Sequence, residues 1–391
     1  MIELTHNTVR HTARTVSGAL SRWPSWAAYV AGAWSLMYGA FGLYWTLGGA
    51  GFPFGTENDP AAALSVLANA QAATSAPVIA VLGLVGAVVA LAMARLLGRG
   101  FQRAVLLSFA WTATATLAII LPDYRVLVTV AYAPLFVIGA PFGWPPGANF
   151  LDALTWPIVN QFVLVSGGFV WAMAAVAYQR RARDACGNCG RTDAGTVWTT
   201  PSAAAQWGRW ATYVAVVIPL FYATTRWAWA LGIPLGISEE FLREGQASGL
   251  WVAGAGLATL AIGGAILTLG LVQWWGEAFP RWIPFFASKR VPIWLAVVPA
   301  SLVSVFVTTA GLMFVRLTVT GTLGETFGFV GEGDWAVLGP ELLWPIWGVA
   351  LGVATLAYYY RRRGRCRHCG RGSSPNSGPM KITEGGHSYA R

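Results

Sequence analysis

Long apolar runs, separated by short polar and basic stretches, set the pattern of this chain. The stretch 76–94, APVIAVLGLVGAVVALAMA, contains no charged residue, and its length matches the roughly 20 residues of helix that cross a bilayer. A ninth apolar stretch, 126–141, is shorter than the others and contains two prolines, which predicts an interfacial or re-entrant segment. The runs of full length predict eight transmembrane helices, at about 25–48, 76–97, 104–121, 156–178, 210–236, 250–275, 292–317 and 342–360.

The composition agrees with an all-α polytopic membrane protein. Of the 391 residues, 55% are hydrophobic and 11% are charged, whereas soluble domains carry about 25% charged residues. These numbers disfavour a soluble globular domain. Four cysteines are also too few to frame a disulfide-rich scaffold of this length.

The basic residues predict the orientation of the spans. If both termini lie on one side, that side receives 22 of the 26 Lys and Arg residues, and the other side receives 11 of the 16 acidic residues. Basic loops stay on the cytosolic side of a membrane. We therefore expect a multi-pass protein of the plasma membrane with cytosolic N- and C-termini. The net charge of +10 then reflects topology, and no nucleic-acid partner is expected.

The second half of the chain repeats the first. RWPSWAAYV from Arg22 corresponds to GRWATYVAV from Gly208, and LTWPIVNQF around Trp156 corresponds to LLWPIWGVA around Trp344. Four spans per repeat is an even number, so the pattern predicts two parallel repeats related by an axis along the membrane normal. The predicted domains are a cytosolic basic segment, two four-helix repeats and a flexible cytosolic tail, at 1–24, 25–195, 196–372 and 373–391.

Each predicted repeat ends in a CxxCGR motif, CGNCGR at 186–191 and CRHCGR at 366–371. Two CxxC pairs are the ligand arrangement of a four-thiolate metal site, which predicts that Cys186, Cys189, Cys366 and Cys369 bind a structural zinc ion. His368 is expected to be a bystander. An iron–sulfur cluster, a redox-active cysteine pair and four unliganded thiols remain as alternatives.

Two arginines lie inside predicted spans, where a charge is costly and marks a candidate functional site. We expect Arg226 and Arg316 either to bind an anionic group or to pair with an acidic residue, and the alternative is that both reach lipid headgroups. The acidic candidates are Asp123, Asp152, Glu239 and Glu240. The predicted ligand-binding residues are Arg226, Arg316, Asp123 and Glu240.

No catalytic motif is present, which leaves three classes of function open. The first is a transporter-like or small-molecule-binding protein, with membrane lipids and an anionic or amphipathic small molecule as partners. The second is a non-enzymatic membrane scaffold, or a sensor of zinc or redox state. The third is a membrane-embedded enzyme acting on lipid or isoprenoid substrates. Neither an enzymatic activity nor a protein partner can be assigned from the sequence.

Overall fold

The computed structural model describes residues 22–139, 141, 150–152, 154–193, 195, 197–282, 287, 289–327 and 334–372. Within these ranges the chain is helical and has no β-strand, apart from an isolated antiparallel bridge between Ala278 and Arg290. The all-helical prediction is confirmed for this part of the chain. Residues 1–21 of the predicted basic segment and the whole predicted tail lie outside the described residues.

The first group of helices runs from residue 23 to residue 182. Four of its members are long when the π-helical turn is counted with α3, which then has 20 residues, and α4, with 16 residues, lies in the connection before α5. The α3 helix continues as a π-helical turn over Thr116–Ile120. The helices are α1 (Trp23–Thr46), α2 (Ala72–Ala94), α3 (Phe101–Ala115), α4 (Tyr124–Gly139) and α5 (Trp156–Ala182).

The second group runs from residue 201 to residue 362. It also has four long helices, together with three short helices that lie in the connections between them. The helices are α6 (Pro201–Ala230), α7 (Glu239–Ala247), α8 (Leu250–Leu269), α9 (Ile293–Val319), α10 (Leu323–Phe327), α11 (Trp335–Leu342) and α12 (Trp344–Arg362).

Six helical segments among the described residues are long and apolar enough to cross a membrane. They are Ala72–Ala94, Phe101–Ile120, Trp156–Ala182, Leu250–Leu269, Ile293–Val319 and Trp335–Arg362. The other two predicted spans form α1 and α6, which have 24 and 30 residues. Their many Trp, Tyr, Gly and Thr residues make them less apolar than the six. The last span begins at Trp335, seven residues earlier than expected, because α11 precedes α12 with only Leu343 between them.

The two groups pack by the same scheme. In the first group α1 contacts α2 and α5, and α3 contacts α5. In the second group α6 contacts α8 and α12, and α9 contacts α12. The first helix of each group therefore lies between the second and the fourth, and the third helix lies against the fourth. We call the end of the molecule where α5 and α12 finish the cysteine end.

Close approach of helices differs between the groups. Gly39 of α1 faces Gly83 of α2, where a Cβ added to Gly83 would lie 2.4 Å from the Cα of Gly39. Small residues at such a crossing allow two backbones to touch. In α8, a Cβ added at Gly256, Gly263 or Gly264 would meet nothing within 4 Å among the described residues, so these glycines make no such crossing.

The groups meet along α9. This helix packs on α4 and on the π-helical turn of α3, and Val126, Val165 and Phe306 form a shared buried cluster. Thr309 donates a hydrogen bond to the carbonyl of Ala118 in the π-helical turn (3.2 Å). The predicted interfacial segment is therefore a 16-residue helix, α4, that contributes to the boundary between the groups.

Candidate metal centre

The backbone after α5 and the backbone after α12 form the same loop. The N–H of Cys186 donates to the carbonyl of Arg191 (3.0 Å), and the N–H of Cys366 donates to the carbonyl of Arg371 (2.9 Å). In both motifs the first cysteine is thereby bonded to the arginine five residues later. The shared CxxCGR sequence accounts for this shared conformation.

A glycine closes each loop. Gly190 donates its N–H to the carbonyl of Cys186 (2.7 Å), and Gly370 donates to the carbonyl of Cys366 (2.9 Å). The φ angles of the two glycines are +72° and +71°, in the left-handed region that glycine adopts without a Cβ clash. The glycine after each second cysteine is thus required by the turn. We call each of these loops a knuckle.

The two knuckles bring the four sulfur atoms together. The Sγ atoms of Cys186 and Cys366 are 4.0 Å apart, and those of Cys189 and Cys369 are 3.6 Å apart. All four lie within 4.8 Å of one another. A disulfide would require about 2.05 Å, so the four are free thiols. A tetrahedral ion with sulfur ligands at about 2.3 Å places them roughly 3.8 Å apart, which is close to these spacings.

The electrostatics of the two knuckles differ. Burial raises the pKa of the Cys189 thiol to about 12, and hydrogen bonds with the other three thiols add to this effect against an opposing N–H from Arg191. Burial also acts to raise the pKa of Cys366, but backbone N–H donors at Cys369 and His368, together with thiol hydrogen bonds, lower it to about 7. Cys366 therefore forms a thiolate more readily than Cys189 does.

Arginine side chains fasten one knuckle to the other. Arg191 donates to the carbonyls of Gly364 (2.8 Å) and Arg371 (2.9 Å), and Arg371 donates back to the carbonyl of Arg191 (3.3 Å). Arg363 donates to the carbonyl of Cys189 (3.1 Å). These bonds join the two groups of helices around the sulfur atoms. Their positive charges also offset the net charge of −2 that a divalent ion with four thiolates carries.

His368 stands apart from the sulfur cluster. Its side chain is exposed, and the group of four possible ligand atoms consists of the cysteines alone. The expectation that this histidine is a bystander agrees with the geometry.

Arg226 lies at the end of the molecule opposite the cysteines, and it is 8% exposed. It forms an ion pair with Glu341, and its guanidinium also donates to the carbonyls of Ala336 and Val337, each at 2.9 Å. The acidic partner is therefore Glu341 and none of the four acids named from the sequence. The reason is that α6 packs against α11, most of which lies before the predicted start of the last span at residue 342.

Asp123 is 1% exposed and belongs to a polar cluster of the first group. Arg125 binds it through the guanidinium at 2.6 Å and binds Asp59 at 2.8 Å. The amide of Gln161 on α5 donates to Asp123 at 2.8 Å. Sequence analysis missed Arg125 and Asp59 as partners, and the one available signal was that Arg125 follows Asp123 by two residues.

Arg316 and Glu240 have different surroundings. Arg316 donates to the carbonyls of Leu64 (2.7 Å) and Ser65 (3.1 Å) in the connection between α1 and α2, so it links the two groups. Glu240 is exposed in the first turn of α7, where a carboxylate stabilises the helix by its position near the N-terminus. The four predicted ligand-binding residues are therefore not brought together in one site.

Comparisons with known proteins assign no function to the site. No protein-family model matches the chain, and no curated protein and no solved structure matches it.

Proposed function

We propose that this protein is an integral membrane scaffold in which a structural zinc ion joins two tandem four-helix repeats at their cytosolic end. The observation that carries the proposal is the convergence of four sulfur atoms, two from each group of helices, within 4.8 Å. All four ligand positions come from the chain. A site of this kind leaves no open position for water or substrate, and it contributes to folding and not to catalysis.

Zinc is favoured by the chemistry of the ligands. Four thiolates in a tetrahedral arrangement suit zinc or an iron–sulfur cluster. A single zinc ion needs sulfur spacings of roughly 3.8 Å, and the pairs across the two knuckles are 4.0 Å and 3.6 Å apart. A cluster of several iron atoms would hold its four cysteine sulfurs farther apart. The spacing therefore supports a single ion.

Two further parts of the proposal concern the membrane. The identical helix-packing scheme of the two groups, with one knuckle after each, supports a tandem duplication. The exposed apolar side chains of α1 and α6, such as Leu36 (54%), Leu43 (54%) and Val217 (63%), support the view that these helices cross the bilayer with the other six. The basic residues then support cytosolic termini in the plasma membrane.

Metal analysis of the purified full-length protein tests the proposal. We expect one zinc ion per chain in the wild type and none in the double variant Cys186→Ser/Cys366→Ser. The variant His368→Ala is a matched control, because it changes the same knuckle without removing a ligand, and it should keep its zinc. Iron with acid-labile sulfide would instead identify an iron–sulfur protein. Zinc retained by the double variant, or absent from the wild type, would contradict the proposal.

A sensing role is the second candidate, and one observation favours it. Cys186 and Cys189 are buried, whereas Cys366 and Cys369 are partly exposed, so oxidants and chelators reach one knuckle more easily than the other. A sensor must release its ion under mild conditions. Zinc release on treatment with hydrogen peroxide would support a sensing role. Full retention of the ion would indicate that its role is structural only.

Transport receives less support from the predicted ligand-binding residues. The Arg226 guanidinium is neutralised by Glu341, and Arg316 is bonded to two backbone carbonyls. The charge of Arg226 is therefore compensated, and the guanidinium of Arg316 is occupied by the connection between α1 and α2. Small-molecule binding is better supported at a different place, the cleft described below.

A further inference from the structure

A cleft of about 260 Å³ opens between the helices of the second group at the cysteine end. It lies among the N-terminal part of α6, the turn after α8 and the C-terminal part of α12. Its polar lining comes from Arg209, Tyr213, Gln273, Tyr358 and Arg361, and its remaining lining is made of small or apolar residues. The cleft is smaller than the roughly 300–1,000 Å³ of sites for drug-sized ligands, so it fits a compact polar group.

Hydrogen bonds fix the walls of the cleft. Tyr358 donates its hydroxyl to the carbonyl of Gly276 (2.8 Å), and Arg361 donates to the carbonyl of Leu271 (2.8 Å). These bonds tie α12 to the turn that follows α8. On the other side α6 touches α12, since a Cβ added to Gly208 would lie 2.4 Å from that of Ala357. The cleft is thus a preformed space between fixed elements.

Several donors in the cleft have no partner among the described residues. The side chains of Arg209, Tyr213 and Gln273 form no hydrogen bond or ion pair with any part of the chain that the structure describes. Arg361 pairs with Glu277 at 3.0 Å. The two arginines and this single carboxylate give the cleft a net positive charge and a set of hydrogen-bond donors that suit an anion.

Exposed tryptophans mark the depth of the cleft in the proposed membrane. Trp210 follows Arg209 and is 73% exposed, and Trp274 follows Gln273 and is 69% exposed. Tryptophan is enriched where headgroups meet the hydrocarbon core. Basic pockets between helices on the cytosolic side bind the headgroups of anionic lipids. The cleft therefore lies where a phosphate group of the membrane surface is within reach.

We propose that this cleft binds a phosphate group, with Arg209 as the cationic partner and Tyr213 and Gln273 as neutral donors, beside an Arg361 whose charge is already paired with Glu277. The ligand class is a phosphate-bearing anion, either the headgroup of an anionic phospholipid or free phosphate. Binding of a lipid headgroup rests on the proposed placement of the protein in the membrane, whereas binding of free phosphate depends only on the cleft.

The test uses the full-length protein, purified and stripped of lipid in detergent. Native mass spectrometry measures binding of phosphatidylglycerol against phosphatidylcholine, and thermal unfolding measures stabilisation by inorganic phosphate against chloride at equal ionic strength. We expect phosphatidylglycerol to bind more tightly than phosphatidylcholine, and Arg209→Gln to weaken that binding about tenfold, since one charge-assisted hydrogen bond contributes on that scale. Tyr213→Phe should weaken it less.

Arg22→Gln is the matched control. Arg22 corresponds to Arg209 in the first half of the sequence, lies at the same end and is not among the residues that line the cleft, so this variant should bind like the wild type. Stabilisation by inorganic phosphate alone, lost in Arg209→Gln, would support the cleft with a soluble ligand. Equal binding of both lipids without a phosphate effect, or equal loss in both arginine variants, would overturn the proposal. Zinc content is measured on the same samples, so failure of the phosphate proposal can be distinguished from failure of the zinc proposal.

Discussion

The two groups of helices share a packing scheme but use different buried polar contacts at the end opposite the cysteines. In the first group Tyr38 of α1 donates to the amide oxygen of Asn160 on α5 (2.9 Å). In the second group Arg226 of α6 forms an ion pair with Glu341 of α11. Both contacts are buried and both lie toward the end opposite the cysteines. The neutral contact joins the first and fourth helices of its group directly, whereas the ionic contact joins the first helix of its group to the short helix before the fourth.

The difference teaches that the packing scheme does not require a charge in this contact of the first helix. The first group has its own buried ions in a different place, where Arg125 binds Asp59 and Asp123. A buried pair of opposite charges also has a large desolvation cost, so its presence is weak evidence of stability. The two side chains depend on each other, because removal of either one leaves the other as an uncompensated buried charge.

The proposed zinc site offers the broadest way to test whether the two groups of helices depend on each other for stability. Removal of the ion with a strong chelator should lower the unfolding temperature by on the order of 10 °C, because four thiols and the surrounding arginines are then left without their shared ion. Cys186→Ser and Cys366→Ser should have equal effects, since each knuckle supplies two of the four ligands. Thermal unfolding monitored by circular dichroism is the measurement. Unchanged stability without the ion would show that the arginine bonds alone hold the knuckles.

The metal-free knuckles should differ in reactivity. With a pKa of about 7, Cys366 is roughly nine-tenths thiolate at pH 8, whereas Cys189, with a pKa of about 12, is almost fully protonated. Alkylation at pH 8 should therefore modify Cys366 at least tenfold faster than Cys189, and raising the pH to 10 should speed only Cys189 appreciably. Peptide mass spectrometry after timed labelling gives both rates. Equal rates at pH 8 would refute the electrostatic difference between the knuckles.

The ion pair and its neutral counterpart can be compared by removing one partner from each. Glu341→Ala leaves Arg226 buried without its carboxylate and should cost about 3–5 kcal/mol. Tyr38→Phe removes a neutral hydrogen bond and should cost about 1 kcal/mol. Unfolding temperatures of the two variants provide the comparison.

The control for this pair is the double variant Arg226→Met/Glu341→Leu. It removes both charges and should recover most of the stability that Glu341→Ala loses. A double variant as unstable as the single one would mean that the loss comes from packing and not from the unpaired charge.

Alanine substitutions of glycine should change stability with opposite signs in the two groups. Gly83→Ala inserts a methyl group between α1 and α2 and should destabilise by about 1–3 kcal/mol. Gly263→Ala meets no neighbour and should stabilise α8 by up to about 1 kcal/mol, because alanine is the better helix former. Unfolding temperatures decide both. A destabilising Gly263→Ala would indicate that α8 packs closely on something beyond the described residues.

The periodic features were accessible from the sequence because they depend on local order. A long apolar run makes a helix wherever it lies, so α2 and α9 were predicted close to their observed bounds. A glycine after CxxC favours the same turn in both motifs, so the two knuckles follow from their local sequence, and the role of the four cysteines as metal ligands stays a prediction. The short helix α11 was not predicted, because the motif around Trp344 and Pro345 indicated the start of a span at that point. The contact between α6 and α11 was therefore missed as well.

What the sequence by itself determined is the long helices, the two knuckle motifs and the uneven distribution of charge. What only the tertiary structure decided is which groups meet. Arg226 could have paired with several acids, and its partner Glu341 follows from the packing of α6 on α11. The convergence of Cys186 with Cys366, which are 180 residues apart, likewise depends on both groups ending side by side. Local patterns fix local conformation, whereas contacts between distant residues depend on how whole helices pack, and no short stretch of sequence encodes that.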